Sequence, residues 1–413
     1  MRILEGAAAA RYVRKLEQRG QRLDTLDPQV RRIVQSVKRS GDRALRRYAE
    51  RWDGLHPGDS LRVSEHEMRS ELQASPRELR AALQQAATNI RRFCRWQKPA
   101  EWEHGKHGRT LGQLVRPLGS VGCYVPGGRY PLPSTLLMTV IPAQIAGVKN
   151  IRVVSPRPAA ATLAAAALLG VREFYRIGGA QAIAALAYGT KTIARVDKIV
   201  GPGNLFVTTA KKIVAFDCAI DFLAGPTEGL FLCDDGEPSF LASDLVAQAE
   251  HDPDALVLLV TQSRKLARAV SRSVAFLARG NSIAQQALRN HGAVLLASSR
   301  EQAVEWTNLI APEHVTTTRE NLPRIVSAGS IFLGDYSAQA AGDYGSGPNH
   351  VLPTGGAARF RGGLSVSDFL KVITVQELSP TGLRKIAPSM IALAEAEGLR
   401  AHAQSIQLRC GHA

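Results

Sequence analysis

Between residues 149 and 310, short apolar runs alternate with stretches of helical length, and few folds accept that alternation. KNIRVVSP, EFYRIGG, KIVGPGN, LFLCDD, ALVLLVT and AVLLAS have the length and composition of strands. AATLAAAALLG, AQAIAALAYGT, LFVTTAKKIVAF, SFLASDLVAQAEH, KLARAVSRSVAFLA and EQAVEWTNLI separate them as helices. A strand that is apolar on both faces must be covered on both, so the pattern predicts βαβ units around parallel sheet. The 413 residues exceed one ordinary core. The expected fold class is α/β, with two Rossmann-like parallel-sheet domains and helical N- and C-terminal segments. Residues 1–105 read as helices, LGQLVRPLGSVGCYVPGG as a β-rich stretch ending in a glycine loop, and the chain after residue 364 as a mainly helical tail.

The formal net charge is +16. Residues 1–100 hold 22 Lys+Arg against 12 Asp+Glu, a surplus of ten, so most of the excess lies in the N-terminal quarter. The sequence shows no nucleic-acid module and little aromatic interleaving, which favours a solvated basic face over nucleic-acid binding. No apolar run is long enough to span a bilayer. The five cysteines form no CxxC, which argues against a disulfide framework or a thiolate zinc site and for a reducing cytoplasm.

Ligands of parallel sheets gather at the carboxyl ends of strands, and IGGAQ, GPGN and AGPTE are expected there. These glycine loops could cradle phosphate through backbone N–H groups, but none is the GxGxxG dinucleotide fingerprint. Residues 342–363, GDYGSGPNHVLPTGGAARFRGG, place Asp343 and His350 in a glycine-rich segment without periodicity, as a binding loop would. Gln248 and His251 stand three apart on a predicted helix and so share a face. With Asp343 they would make a mixed N/O set suited to zinc, although a histidine at a helix C-terminus is the commoner meaning of that spacing. Pro312 should end a helix and leave Glu313 and His314 on a loop, where a carboxylate beside an imidazole can divide acid and base roles. A solvated pair is the commoner outcome. Cys123, beside the first glycine loop, reads as a small buried hydrophobe more readily than as a nucleophile.

Taken in order, VGCYVPGG, PLPSTLLMTVIPAQIAGV, IGGAQAIAALAYGT, KIVGPGN, AGPTE, SDLVAQAEHDPD, APEH, the long run from AGSIFLGDYSAQAAGDYGSGPNH onward, GLSVSDFLK and EAEGLRAH resemble the histidinol dehydrogenase family over roughly residues 25–405. The resemblance implies NAD-dependent oxidation of L-histidinol to L-histidine through the aldehyde, the last step of histidine biosynthesis. It implies Gln248, His251, Asp343 and His402 as zinc ligands and Glu313 and His314 as the catalytic pair. Tyr124, Gln181 and Asn204 would contact NAD. Thr227, His350 and Glu397 would join the zinc set and His314 around the substrate. It also implies a homodimer with exchanged C-terminal segments, in which Glu397 and His402 complete the partner's site. The family usually has Ser where this chain has Thr227. An enzyme of the same fold acting on another polar alcohol, such as a sulfonated diol, is the alternative, and Glu397 and His402 in EGLRAH favour histidinol.

The expected domain boundaries are residues 1–21 for an N-terminal helical segment, 22–123 with 229–363 for the first Rossmann-like domain bearing the metal and catalytic residues, 124–228 for the NAD-side domain, and 364–413 for a helical dimerisation segment.

Overall fold

A computed structural model describes residues 1–20, 25–127 and 131–411. The chain begins with β1 (Arg2–Glu5), α1 (Gly6–Glu17), α2 (Asp27–Tyr48), β2 (Arg62–Val63), α3 (Glu65–Ala74) and α4 (Arg77–Gln97). It continues through β3 (Trp102–Lys106), β4 (Arg109–Pro117), β5 (Ser120–Tyr124), α5 (Pro133–Ala146), β6 (Asn150–Val154), α6 (Ala160–Leu168) and β7 (Glu173–Tyr175). Then come α7 (Gly179–Tyr188), β8 (Lys198–Val200), α8 (Leu205–Val214), β9 (Ala219–Ile220), β10 (Glu228–Leu232), α9 (Pro238–Ala249), β11 (Leu256–Thr261) and α10 (Arg264–Leu277). The last part holds α11 (Ser282–Asn290), β12 (Ala293–Leu296), α12 (Arg300–Ile310), β13 (His314–Thr317), β14 (Ser330–Leu333), α13 (Gln339–Tyr344), β15 (Leu370–Leu378), α14 (Pro380–Ala396) and α15 (Arg400–Gly411).

Two six-stranded sheets carry the fold. One has the order β1-β12-β11-β10-β13-β14 and is parallel throughout. The other has the order β2-β7-β6-β5-β8-β9, parallel except for β2 at its edge. Each is covered on both faces. Leu230, Leu258 and Val315 pack toward α1 and α12, while Phe231, Val257 and Leu259 pack toward α9, α10 and α11. In the second sheet one core joins α4, α5 and α6, and the other joins α2, α7 and α8. Burying a side chain such as Phe231 fully contributes roughly 1.5–3 kcal/mol against leaving it in water, which is why strands as apolar as LVLLVT accept only the sheet interior.

The described residues correct several boundaries. The segment 22–123 does not belong with the sheet expected to carry the metal and catalytic residues: β2 and β5 hydrogen-bond into the other sheet, and β5 is one of its central strands. Helices α2, α3 and α4 pack against α7, α6 and α5 of the same body. The predicted cut at 123 falls inside β5, and the cut at 21 lies outside the described residues. Residues 1–105 are not helical throughout, since Arg2–Glu5 extends the first sheet beside β12, β2 lies within them and β3 begins there. The tail is not wholly helical either. Leu370–Leu378 pairs antiparallel with β4 along its whole length, and β4 pairs with β3, making a third, three-stranded sheet. The run Val372, Ile373, Thr374, Val375 is β-branched at every position, which stiffens χ1 and favours a strand once a partner edge is present. No helix among the described residues is long and apolar enough to cross a membrane.

Candidate active site

β10 and β13 are parallel neighbours, with Gly229 opposite His314. AGPTE and APEH enter these two strands at the same edge of the sheet and so meet. This edge is the amino end of the strands; the expectation that AGPTE caps a carboxyl end is therefore wrong, whereas IGGAQ and GPGN do follow the carboxyl ends of β7 and β8. Glu313 and His314 are not on a free loop. Ala311 closes α12 in the left-handed region at φ 47°, Pro312 follows, and His314 is the first residue of β13.

Both members of the pair are buried. Glu313 Oε2 accepts from the Glu228 backbone N–H at 3.0 Å and lies 2.8 Å from Thr227 Oγ1. Thr227 Oγ1 is also 3.1 Å from Gln248 Oε1. One hydroxyl proton cannot serve two acceptors. Thr227 therefore donates to Glu313 or to Gln248, and burial raises the Glu313 carboxyl well above its ordinary range. His314 Nδ1 is 3.3 Å from the Glu228 carbonyl and 3.6 Å from Glu313 Oε2. Because a carbonyl only accepts, Nδ1 carries the proton and Nε2 keeps its lone pair. Burial lowers the His314 imidazole to about 4, so it is a neutral base near pH 7. Phe332 on β14 stacks on its ring with centroids 5.8 Å apart.

Gln248 is buried near the end of α9, whose antiparallel return to the sheet brings it to this edge. A side chain at Gly229 would come within 3.0 Å of Gln248 Cγ, so the close approach of helix and strand requires glycine there. His251 lies two residues beyond the last residue of α9, not on the helix, and is exposed at the mouth of the site. Its proton affinity is lowered by the surrounding protein. α13 packs on α9 and carries Asp343, which burial pushes up to about 7. His350 Nδ1 bonds the Asp343 carbonyl at 2.9 Å, and its Nε2 lies 3.2 Å from Thr135 Oγ1 on α5. His350 therefore joins the glycine-rich segment to the second sheet's body.

In the second sheet's body a cavity of about 410 Å³ has a lining that includes Tyr124, Gln181 and Asn204, along with Asp53 and Arg157. Tyr124 Oη accepts from the Gly179 N–H at 3.1 Å, and burial raises its phenol. Gln181 Nε2 and the Gly178 N–H both donate to Asp53 Oδ2, each at 3.0 Å. Asn204 caps α8, its Oδ1 accepting from the Val207 N–H at 3.1 Å. Cys123 is fully buried with its thiol pushed up to about 12, which suits a core residue and not a nucleophile.

The structure thus gathers Thr227, Gln248, His251, Glu313, His314, Asp343 and His350, and places Tyr124, Gln181 and Asn204 together on the cavity of the second sheet's body. It does not bring Glu397 or His402 to them. Both are exposed, at the end of α14 and on α15. Gln248, His251 and Asp343 offer an amide oxygen, an imidazole and a carboxylate. Among the described residues, no three His, Cys, Asp or Glu side chains group closely enough to hold a metal ion. The donor types fit a divalent cation: Asp343 is shifted by burial alone, with no cation of this chain offsetting it, and a neutral His251 can offer its lone pair.

Sequence reasoning missed Asp53 and Glu228. Asp53 acts through a backbone amide and an amide side chain more than a hundred positions away, and Glu228 acts through its own peptide groups, so neither leaves a spacing signal.

The histidinol dehydrogenase family model matches residues 16–410. Histidinol dehydrogenase of Methanothermobacter thermautotrophicus is 47% identical over 402 residues, covering 94% of this chain and 93% of that protein. The Geobacillus kaustophilus enzyme of the same name is 48% identical over 392 residues, covering 91% and 92%. The crystal structure of histidinol dehydrogenase from Elizabethkingia anophelis superposes with a TM-score of 0.94 at 38% identity, covering 99% of this chain and 98% of that one.

Proposed function

Since the chain belongs to the histidinol dehydrogenase family, and is thereby an oxidoreductase of histidine biosynthesis, we propose that it oxidises L-histidinol to L-histidine through histidinal by two successive hydride transfers to NAD, with Glu313 and His314 moving the protons. The observation that carries this assignment is the shared support of the pair: the Glu228 peptide N–H holds Glu313 and its C=O holds His314. That support leaves one base, His314 Nε2, neutral and ready. His314 takes the hydroxyl proton of the alcohol as hydride leaves its carbon. The Glu313 carboxylate, with its raised proton affinity, then takes a proton from the water that hydrates the aldehyde while His314 returns its proton to the aldehyde oxygen, and the hydrate gives a hydroxyl proton back to His314 as the second hydride leaves. The Thr227 hydroxyl relays between Glu313 and Gln248. His350, fixed at both ring nitrogens, forms a wall of the substrate space.

Gln248, His251 and Asp343, with His402 from a second copy, would hold a zinc ion, which when bound supplies a Lewis-acid anchor for the substrate's imidazole. Tyr124, Gln181 and Asn204 would hold NAD in the cavity they line, with the N-termini of α7 and α8 favouring its phosphates. A dimer with exchanged tails is supported by the apolar surface on that part of the chain. Val372 and Ile373 on β15, Leu111 on β4 and Leu393 and Leu408 on α14 and α15 are all exposed, as expected of a face covered by a partner. The five cysteines are free, consistent with a cytoplasmic enzyme. The relatives carry the name histidinol dehydrogenase and lend no support to another polar alcohol as substrate.

The test is NADH formation by the purified, zinc-loaded protein from limiting L-histidinol. Two NADH per substrate is the expected yield; one, or none, would refute the reaction.

A further inference from the structure

Glu228 does more than lend its peptide groups. Its side chain is buried and is gripped by Arg19 in a two-point fork, Nε to Oε1 at 2.8 Å and Nη2 to Oε2 at 2.6 Å. The same guanidinium uses its remaining nitrogen, Nη1, on two carbonyls, Leu16 at the end of α1 and Ile310 at the end of α12, both at 2.7 Å. Ile310 is three residues before Glu313. Glu228 Oε1 also accepts from the Gly355 N–H at 3.0 Å, in the glycine-rich segment that bears Asp343 and His350. One half-buried cation therefore fixes both approaches to the catalytic pair: β10, whose Glu228 peptide holds Glu313 and His314, and the turn that delivers them. A planar fork sets direction as well as distance, which a lysine ammonium does not.

We infer that Arg19 and Glu228 are positioning residues of the dehydrogenase reaction, a clamp that sets the orientation of the His314 imidazole and the Glu313 carboxyl from the N-terminal segment of the chain. This rests on the proposed roles of Glu313 and His314. A base must lie within hydrogen-bond reach of the proton it removes, and misplacement by about 1 Å can cost on the order of a hundredfold in rate. Arg19→Lys keeps the charge and loses the fork.

The test compares three single variants of the full-length, zinc-loaded enzyme: Arg19→Lys, Arg359→Lys and His314→Asn. Arg359 is the control because it binds carbonyls at the ends of the same two helices, Glu17 and Leu309, and no hydrogen bond joins it to Glu228 among the described residues. The expected result is a fall in kcat of about tenfold to a hundredfold in Arg19→Lys, with KM for histidinol and NAD within about twofold, an altered acid limb in the pH profile of kcat, and near-normal kcat in Arg359→Lys. Equal losses in Arg19→Lys and Arg359→Lys, matching equal losses of thermal stability, would reduce Arg19 to a structural role and overturn the inference. Wild-type kcat and pH profile in Arg19→Lys overturn it as well. If Arg19→Lys does not fold, Glu228→Gln, which preserves shape and the Gly355 contact, takes its place with the same expectations. His314→Asn separates the two claims. If it is inactive while Arg19→Lys is normal, only the clamp fails; if it is active, the assignment of the pair fails and takes the clamp with it.

Discussion

At the residue scale, the chemistry depends on two buried groups whose proton affinities move in opposite directions for one reason. Burial disfavours charge, so it lowers an imidazole and raises a carboxyl. His314 and His350 are each held at about 4 against an ordinary 6.5. Between those values the unfolded chain binds protons at these two positions that the folded chain refuses, so the histidines' contribution to stability rises with pH across that window, is complete above about 6.5 and is lost as pH falls toward 4, while the raised Glu313 and Asp343 carboxyls act the other way. His314→Asn should flatten the dependence of Tm on pH between 6.5 and 4; an unchanged slope would refute the buried, neutral histidine. The same variant should lose most of its turnover and keep its zinc content, measured by metal analysis, because His314 is a base and not a ligand. Glu313→Gln should slow aldehyde oxidation more than alcohol oxidation, and equal slowing would count against a water-activating carboxylate. Little of this supporting detail could be read from the chain. The types and order of Glu313, His314, Gln248 and Asp343 were visible, but Glu228, Arg19 and Asp53 act through peptide groups or partners far away in sequence, and no periodicity records that.

At the element scale, β6, β7, β8, β10, β11 and β12 were legible because each is a short apolar run next to a helix that covers it, whereas β9 and β13 were not. Nor were β1 and β15. Arg2–Glu5 is four residues long and Leu370–Leu378 is mostly exposed, and each depends on a strand more than two hundred residues distant. The helix-end positions were legible in type but not in geometry: His251 leaves α9 where a continued helix was expected, which gives it the reach of a turn. Asn204 joins both lines of reasoning. Its side-chain oxygen caps α8, leaving its NH₂ for the cavity it lines. Asn204→Ala should cost about 1 kcal/mol of stability and raise KM for NAD, whereas Asn204→Asp should keep the cap. If both variants bind NAD normally in a titration, Asn204 is a cap alone.

At the scale of the whole molecule, one chain brings seven of the site's side chains to a sheet edge and leaves Glu397 and His402 on an exposed helical hairpin. Exchange of tails between two copies makes a distinctive prediction. His314→Asn and His402→Ala, each inactive alone, should complement when unfolded together and refolded. Half of the random dimers then hold one intact site, giving about a quarter of wild-type activity. No recovery would mean that each tail serves its own chain.

The strand pairings also carry a consequence for synthesis on the ribosome. The sheet built from β2 and β5–β9 has all of its strands translated by residue 220, so that body can close while the rest is still being made. β1 is translated first yet waits for residues 293–296, and the edge of β4 stays open until residues 370–378 emerge. Messages broken before that point should yield chains with a folded centre and two sticky margins, which are natural clients for a chaperone.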